Sequence, residues 1–526
     1  MEEKLYAWQE ECIEKWMKNG GRGMVQAVTG SGKTRMALAA ADQLEKRLGG
    51  RLRVKIVVPV SGLMMQWSRA LKEFRGNSAL PGRQGNGSRE KNVRGEIGLR
   101  GGGFKDPPGR KYMIYVINSA RYELARNILE ELRAGENILL IADECHRYES
   151  GQNRLIFEFL PYIDAYGKQF FSLGLSATLP SGQARAYLTS VLGPKVYSYG
   201  MKHAAASGAV SPYDIYHIAL SFQEEEGEEY RNFTERMTNV YRKLLKWHPY
   251  LRDMDQKGRF ETLRNLAGSK DRKSADAAST YMKLSFCRKK LVCLAKSRCA
   301  CAVSLLRRLG TEEKIIVFGE RIQQAEELYG LLQPYFPGKV GRYHSQMGEQ
   351  ANRAALRRFR EGELRILITC KSMDEGVDVP DASIGIILSG TSVQRQRIQR
   401  LGRILRKSEG KTRASLYYLH MAETSEDTCF LPETGGSHVF ELEYLSDRDE
   451  FSNPSYDQAA DAMLDKMRLD GADEEKLWEA MRCLSLGRVR GDWLSGPAYI
   501  EERIKSAKYV SEKNYWICMK KMRENI

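Results

Sequence analysis

"QAVTGSGKT", residues 26–34, decides the fold class of this chain. The stretch follows an apolar run, "GMVQAV" (23–28), and precedes a helical pattern at 35–47. A glycine-rich turn between a strand and a helix is typical of a phosphate-binding loop, whose usual form is G-x-x-x-x-G-K-[ST]. Ala27 replaces the first glycine of that form. An ordinary backbone conformation would tolerate alanine there, because only a positive φ demands glycine.

The residue types in this loop suit a nucleotide and its metal ion. Backbone N–H groups from Gly30 to Thr34 can surround a phosphate, and the dipole of the following helix adds to their attraction. Lys33 would neutralise phosphate oxygens, and the Thr34 hydroxyl would bind Mg²⁺. The sequence therefore predicts bound ATP and Mg²⁺. The predicted contacts in the loop are Ala27, Thr29, Gly30, Ser31, Gly32, Lys33 and Thr34.

A second stretch, "ILLIADECH" (138–146), supplies the acids that ATP hydrolysis requires. Its apolar run predicts a buried strand that ends at Asp143, the expected Mg²⁺ ligand. Glu144 follows directly and is the candidate general base for the attacking water. An acidic turn after a core strand is common by itself, and the phosphate loop upstream makes the catalytic interpretation the better one.

Apolar runs alternate with amphipathic stretches in two parts of the chain, which is typical of parallel sheets covered by helices. The predicted strands lie at 23–28, 54–60, 112–118, 138–143 and 170–178, and then at 314–319, 339–344, 364–370, 383–389 and 414–420. The predicted helices lie at 35–47, 63–74, 119–133, 321–333, 349–360 and 394–404. The fold class is α/β.

A chain of 526 residues is too long for one hydrophobic core, so several domains are expected. The pattern divides it into an ATP-binding domain, a helical linker region, a second α/β domain and a mostly helical accessory domain. Their predicted bounds are 1–222, 223–310, 311–423 and 424–526. Within the first domain, the Gly-rich segment 75–111 carries nine basic and three acidic residues. It is either a mobile, positively charged insertion or an ordinary loop.

The net charge of +16 is distributed unevenly along the chain. Residues 1–423 carry a net charge of +23, whereas residues 424–526 carry −7. Such a surplus favours a polyanionic partner, most commonly nucleic acid, although a basic surface without a partner is the alternative.

Composition excludes several classes of protein. No run approaches the roughly 18 apolar residues of a membrane span, so no membrane partner is expected. The N-terminal "MEEKLYAWQEE" lacks the basic and apolar regions of a signal peptide. The ten cysteines include no CxxC pair, and reduced thiols in the cytoplasm are expected. We expect four of them to pack as small hydrophobic residues, and metal binding is the alternative. These are Cys287, Cys293, Cys299 and Cys301.

Together these motifs resemble those of the superfamily 2 helicases, closest to the type III restriction motors and the XPB-like DNA translocases. In that family the phosphate loop begins [AG]-x-T-G-x-G-K-T, so Ala27 is ordinary there, and "DECH" (143–146) stands where the family has Asp-Glu-x-His. The resemblance implies two tandem RecA-like domains. It also implies that Gln9 reads adenine, as the glutamine of "LYAWQEECIEKW" (5–16).

The resemblance extends to nucleic-acid contacts and to coupling residues. "VVPVSGLMMQW" (57–67) and "VINSARY" (116–122) resemble two motifs that contact a nucleic-acid backbone. The implied contacts are Ser61, Gln66 and Trp67 in the first stretch, Ser119 in the second, and Thr369 at the start of a third, "TCKSMDEGVDVPDAS" (369–383). His146 and the "SAT" stretch, Ser176, Ala177 and Thr178, would couple the state of ATP to those contacts.

In the second α/β domain, "QRIQRLGRILRK" (396–407) resembles the motif that completes the ATP site from across the cleft. Arg403 and Arg406 would be arginine fingers on the γ-phosphate, with Gln399 and Arg400 in support. "TCKSMDEGVDVPDAS" (369–383) resembles the preceding motif, in which Gly376 and Asp378 would lie near the nucleotide.

The predicted function is an ATP-dependent helicase or translocase that acts on double-stranded or forked DNA. Three alternatives stay open: an ATP-gated nucleic-acid sensor, the motor subunit of a restriction or phage-defence complex, and an RNA helicase. The chain shows no convincing nuclease constellation, so the second alternative would require a nuclease partner.

Overall fold

The computed structural model describes residues 5–77, 95–149, 151–163, 169–207, 211–310, 312–370, 382–389, 404, 413–424, 426 and 438–525. Within these ranges the chain forms two eight-stranded sheets, each mostly parallel and flanked by helices. The α/β class and the pair of sheets predicted from the alternating pattern are confirmed. No helix in the described part of the chain has both the length and the apolar character that crossing a membrane requires.

The first sheet has the strand order β4-β3-β5-β2-β6-β7-β1-β8. All neighbours are parallel except β3 and β4, which form an antiparallel hairpin. The strands are β1 Arg22–Ala27, β2 Leu52–Val58, β3 Ile97–Gly101, β4 Phe104–Lys105, β5 Tyr112–Val116, β6 Asn137–Asp143, β7 Phe170–Ser176 and β8 Lys195–Tyr199. The flanking helices are Ala7–Lys18, Lys33–Arg47, Ser61–Asn77, Ile117–Arg133, Gly182–Leu192 and Met201–Ala206. Three short 3-10 segments follow β6 at Cys145–Glu149, Asn153–Phe157 and Leu160–Tyr162.

The segment 75–111 differs from its prediction over its second half. Strand β3 (Ile97–Gly101) pairs in parallel with β5, and Ile97 and Leu99 are buried in the core of the sheet. The sequence pattern missed this strand because glycines interrupt its apolar residues. Residues 78–94 of the segment lie outside the described residues.

The second sheet has the strand order β11-β12-β10-β13-β14-β9-β15-β16, with only β15 and β16 antiparallel. The strands are β9 Tyr213–Leu220, β10 Ile315–Gly319, β11 Val340–Tyr343, β12 Ile366–Cys370, β13 Ile384–Ile387, β14 Ala414–Met421, β15 His438–Leu445 and β16 Glu450–Ser452. The helices Lys296–Leu309, Ile322–Leu332 and Glu349–Arg360 accompany it. The predicted helix at 394–404 is outside the described residues, apart from residue 404.

The second sheet includes a strand that lies before the predicted domain boundary at residue 222. The predicted boundary placed residues 213–220 in the first domain, but they form strand β9, which pairs with β14 and β15 in the second sheet. Between β9 and β10 the chain forms the long helices Glu224–Trp247, Gln256–Ala267 and Arg272–Leu294, as the helical prediction for 223–310 indicates. These three helices share a small core of their own around Leu244 and Leu263.

The region after residue 424 is mostly helical, as predicted, but it is built into the second sheet. Strands β15 and β16 extend that sheet. Side chains from the following helices, among them Tyr456, Leu484 and Met519, lie in the same core as the strand residues Val317 and Ile386. The helices concerned are Pro454–Leu469, Glu474–Arg490, Pro497–Ser506 and Val510–Asn525.

Candidate active site

The phosphate loop lies at the carboxyl end of β1, where it leads into the helix Lys33–Arg47. Gly30 and Gly32 have φ values of 86° and 89°, which L side chains rarely adopt, so both glycines are required by the turn. Gly32 precedes the helix without any side-chain cap. The N–H groups of the first helical turn are therefore available to an anion.

Ala27 is the last residue of β1 and is fully buried. It is not among the described non-glycine residues with positive φ. The expectation that alanine is tolerated at this position is confirmed. The Lys33 ammonium donates a hydrogen bond to the Ala27 carbonyl oxygen at 2.9 Å, which holds the lysine across the loop.

Gln9 reaches the phosphate loop from the first helix. Its side-chain Nε2 donates to the Gly32 carbonyl oxygen at 3.0 Å, and its Oε1 accepts from the Tyr6 N–H at 2.9 Å. A Cβ at Gly32 would lie 2.8 Å from that Nε2, so the close approach also favours glycine. In this structure Gln9 therefore braces the loop, a role that the sequence pattern did not reveal.

The two predicted carboxylates end β6 beside the loop. Asp143 is buried, and its Oδ2 accepts a hydrogen bond from the Trp67 indole N–H at 2.8 Å. Its Oδ1 accepts from the Glu144 backbone N–H at 3.0 Å. Glu144 has a φ of 49°, an uncommon conformation for a non-glycine residue and one that recurs at functional sites.

The pKa values of Asp143 and Glu144 are shifted in opposite directions. Burial, together with the adjacent Glu144 carboxylate, raises the pKa of Asp143 to about 6. Burial also acts to raise the pKa of Glu144, but the His146 hydrogen bond and the Lys33 charge outweigh it and lower that pKa to about 2. Glu144 therefore stays ionised and can orient a water, while Asp143 gains most from a cation beside it.

His146 and Ser176 connect this pair to the end of β7. The His146 Nδ1 lies 2.9 Å from the Ser176 hydroxyl oxygen and 3.3 Å from the Glu144 Oε2. The Ser176 hydroxyl donates to the Thr178 carbonyl oxygen at 2.6 Å and accepts from the Thr178 N–H at 3.2 Å. Ala177 is buried between them. The predicted coupling residues are thus brought together beside Glu144.

The predicted nucleic-acid contacts fall into two groups. Ser61 is exposed at the start of the helix Ser61–Asn77, and Gln66 and Ser119 are half-buried. Trp67 and Thr369, by contrast, are each 1% exposed. The structure corrects the prediction for those two, because side chains so deeply buried do not reach a nucleic acid.

The sequence pattern could have predicted that Trp67 is buried. Met64, Trp67 and Leu71 recur at helical spacing and form the buried face of their helix. Trp67 therefore belongs to the core side, where it meets Asp143 instead of a nucleic acid.

The hairpin between β3 and β4 lies against two of these candidates, Ser61 and Ser119. A Cβ at Gly101 would lie 2.7 Å from the Ser119 hydroxyl oxygen, and one at Gly102 would lie 2.9 Å from the Ser61 Cβ. Both glycines have positive φ. The hairpin tip also carries the exposed side chains of Phe104 and Lys105. This hairpin, residues 101–105, thus joins the two strand ends at which nucleic-acid contacts were predicted.

Six predicted residues of the second α/β domain lie outside the described residues. They are Gly376, Asp378, Gln399, Arg400, Arg403 and Arg406. A separate cavity of about 450 Å³ lies at the amino ends of β9, β13 and β14, with Asp214, Arg413 and Asp492 in its lining. None of the predicted site residues lines that cavity.

The described residues of the first domain suit a nucleotide and a divalent cation. The Thr29 hydroxyl is buried in the phosphate loop without a hydrogen-bond partner, so an added acceptor would satisfy it. The uncapped helix start, Lys33 and Thr34 present donors to phosphate. Asp143 supplies a carboxylate oxygen, the ligand type that Mg²⁺ prefers.

Two family models match the chain in order. The model "Type III restriction enzyme, res subunit" matches residues 2–181, and "Helicase conserved C-terminal domain" matches residues 297–408. The chain is 28% identical over 412 residues to the DNA 3'-5' translocase XPB2 of Sulfurisphaera tokodaii. The aligned region covers 77% of this chain and 79% of the relative. It is 24% identical over 425 residues to the DNA 3'-5' helicase XPB of Kineococcus radiotolerans, covering 80% of this chain and 60% of the relative.

Solved structures share the fold. The helicase domain of Pyrococcus furiosus Hef is similar with a TM-score of 0.50 and 15% identity, over 81% of this chain and 97% of that structure. The DUF1998 helicase MrfA bound to DNA is similar with a TM-score of 0.51 and 13% identity, over 80% of this chain and 46% of that structure. With the two ordered helicase models and the phosphate loop already described, this chain belongs to the superfamily 2 helicases, near the type III restriction and XPB proteins.

Proposed function

We propose that this protein is an ATP-dependent DNA helicase or translocase that moves along double-stranded or forked DNA. The observation that carries the proposal is the arrangement at the carboxyl edge of the first sheet. There the phosphate loop lies near the adjacent carboxylates of Asp143 and Glu144, and the buried Asp143 carboxylate is hydrogen-bonded to a helix that starts at a predicted nucleic-acid contact. The relatives named as DNA 3'-5' translocase and DNA 3'-5' helicase support DNA over RNA.

Each candidate site residue of the first domain has its own role in the proposed hydrolysis. Lys33 and the loop N–H groups bind the phosphates, and Glu144 orients and polarises the attacking water. Thr34 and Asp143 would hold Mg²⁺, which neutralises charge on the phosphate oxygens when it is bound. Gln9 would contact adenine if its amide exchanged its present partners for the base.

The second domain completes the site from the other side. We assign the arginine fingers to Arg403 and Arg406, supported by Gln399 and Arg400, with Gly376 and Asp378 near the nucleotide. These assignments rest on the resemblance of "QRIQRLGRILRK" and "TCKSMDEGVDVPDAS" to family motifs. A finger of this kind contributes on the order of 10³–10⁵ in rate.

The DNA track runs over Ser61, Gln66 and Ser119 and past the hairpin 101–105. Backbone phosphates are the natural partners of such a surface, so binding would be largely independent of sequence and strongly dependent on salt. His146 and the stretch Ser176 to Thr178 would transmit the state of ATP, because their hydrogen bonds end on Glu144. The protein would act in the cytoplasm.

A second candidate function is the motor subunit of a restriction or defence complex. The match of residues 2–181 to the res-subunit model favours it. Such a motor would need a nuclease partner. Co-purification of a nuclease activity with the tagged chain from its native host would support this candidate.

The experiment that tests the proposal compares ATP hydrolysis in the presence of duplex DNA, forked DNA, single-stranded DNA and RNA. We expect duplex or forked DNA to stimulate turnover most. Triplex displacement then separates a motor, which displaces the third strand, from an ATP-gated sensor, which only binds. Lys33→Ala is the control, because it removes the charge that binds the phosphates. Full turnover by Lys33→Ala, or stimulation by RNA alone, would contradict the proposal.

A further inference from the structure

Among the described residues, Trp67 is the one side chain that donates a hydrogen bond to the buried Asp143 carboxylate. Its indole Nε1 lies 2.8 Å from Asp143 Oδ2. The other oxygen, Oδ1, accepts the Glu144 backbone N–H at 3.0 Å. With one donor on each oxygen, the plane of the carboxylate is set by two directional contacts. Residues that bond to a metal ligand in this way orient it for the metal.

The helix that carries Trp67 begins at the predicted DNA track. Ser61 starts that helix and is exposed, and it packs against Gly102 of the hairpin 101–105. Trp67 follows six residues later, which is roughly 9 Å along the helix axis. A DNA phosphate that pulls on Ser61 or on the hairpin therefore acts on the same rigid element that holds Asp143.

We propose that Trp67 is a positioning residue for Asp143, and that the helix Ser61–Asn77 transmits DNA contact to the Mg²⁺ site through this hydrogen bond. The proposal rests on the function proposed above. It is distinct from the His146–Ser176 contacts, which end on Glu144. Because a hydrogen bond weakens steeply with angle and distance, a small shift of the helix changes the orientation of the carboxylate.

The test replaces Trp67 by phenylalanine, which keeps an aromatic ring and removes the N–H donor. Trp16→Phe is the matched control. Trp16 is equally buried, and its Nε1 donates at 3.0 Å to the Ser172 carbonyl oxygen in the same sheet, away from the carboxylates. Both variants lose one buried indole hydrogen bond, so a general loss of stability affects them alike.

The first readout does not depend on turnover. The affinity for a fluorescent ADP analogue is measured with and without Mg²⁺, and the ratio reports how well the metal is held. We expect Trp67→Phe to lose about 10-fold to 100-fold of that Mg²⁺-dependent gain, the usual effect of removing a residue that orients a metal ligand. Trp16→Phe should keep the wild-type ratio. Equal ratios in the two variants would overturn the proposal.

The second readout is the factor by which duplex DNA raises kcat. We expect Trp67→Phe to lower this factor several-fold relative to Trp16→Phe. If Trp67→Phe loses the Mg²⁺ gain but keeps full DNA stimulation, the link through the helix is overturned. A wild-type protein without any DNA stimulation would refute the proposed function instead, so the two failures are distinguishable.

Trp67→His keeps the test informative if Trp67→Phe does not fold. The imidazole ring overlaps the five-membered ring of an indole, so its Nε2–H can occupy the place of the Trp67 Nε1–H. We expect Trp67→His to retain more of the Mg²⁺-dependent gain than any variant at this position that lacks a donor, such as Trp67→Leu. The same loss in Trp67→His and Trp67→Leu would contradict a role for the hydrogen bond.

Discussion

The carboxyl edges of the two sheets use buried charge in opposite ways. At the first sheet, Asp143 and Glu144 lie near an uncapped helix start and near Lys33, whose ammonium donates to a backbone carbonyl. At the second sheet, the fully buried Arg298 donates to the carbonyl oxygens of Leu388 and Leu419 and pairs with Glu426. The first edge leaves donors available to a ligand, whereas at the second edge the chain itself supplies the partners of Arg298.

The difference teaches that a shared architecture does not decide where chemistry occurs. Both edges gather polar groups at the ends of parallel strands, where ligands commonly bind in such folds. What separates them is whether the chain supplies the counter-charge. Substitutions at the first edge should therefore impair chemistry and spare stability, and substitutions at Arg298 should do the reverse.

The largest effect is expected from Glu144→Gln. Loss of the carboxylate that orients the attacking water should lower DNA-stimulated kcat by about 10²–10⁴-fold. Nucleotide binding and the melting temperature should change little, because glutamine keeps the size of the side chain. Glu149→Gln, five residues after Glu144, is the control and should retain normal turnover. Activity above one-tenth of wild type in Glu144→Gln would remove Glu144 from the catalytic role.

Arg298→Met tests the second edge. Breaking this buried ion pair leaves Glu426 and three carbonyl oxygens without their donor, at a cost of about 3–5 kcal/mol in the free energy of unfolding. Chemical denaturation measures it. The control is Arg307→Met, whose pair with Asp449 is half exposed and should contribute less than about 1 kcal/mol. If both variants lose equally little stability, Arg298 does not hold the second edge as described.

The raised pKa of Asp143 predicts a pH-dependent need for Mg²⁺. Below its pKa of about 6 the carboxyl is protonated and has lost the charge that attracts the cation. The Mg²⁺ concentration for half-maximal hydrolysis should therefore rise as the pH falls, roughly fourfold between pH 7.5 and 5.5. Asp143→Asn has no carboxyl group to titrate at this position. It therefore reports how much of the rise in the Mg²⁺ requirement comes from protonation of the nucleotide. An identical rise in that variant would show that Asp143 is not responsible.

The smallest effect is expected at the hairpin 101–105. Lys105 is exposed there, close to the strand ends that carry Ser61 and Ser119. Lys105→Gln should weaken DNA binding a few-fold and reduce the slope of log Kd against log salt by about 1. Lys466→Gln, in the helix Pro454–Leu469, should leave the slope unchanged. Equal slopes for Lys105→Gln and wild type would place the hairpin off the DNA track.

Local sequence predicted the first site well because its parts are local. The phosphate loop needs a strand, two glycines and a helix within a dozen residues, and the acid pair needs only the end of one strand. The partners of these residues could not be predicted in the same way. Trp67 meets Asp143 and Gln9 meets Gly32 across 76 and 23 residues of chain, and their contacts depend on which faces the sheet brings together.

Strand membership shows the same limit. The predicted strands did not include β9, which the structure forms from Tyr213–Leu220 with almost every residue buried. Nothing in residues 213–220 states that the strand lies between β14 and β15, because those partners are supplied by residues some two hundred positions later. Likewise β3 was missed because its glycines weaken the local pattern, although its hydrogen bonds to β5 hold it in the sheet.

The sequence by itself determined the α/β class, the glycine-rich loop 26–34 between a strand and a helix, and the acids at 143 and 144, since each follows from short-range pattern and backbone geometry. Only the tertiary structure decided that Trp67 donates to the buried Asp143 carboxylate, that β9 and the C-terminal helices pack with the second sheet, and that Arg298 bonds to the ends of β13 and β14. These depend on burial and on hydrogen bonds between distant segments, which exist only once the chain has packed.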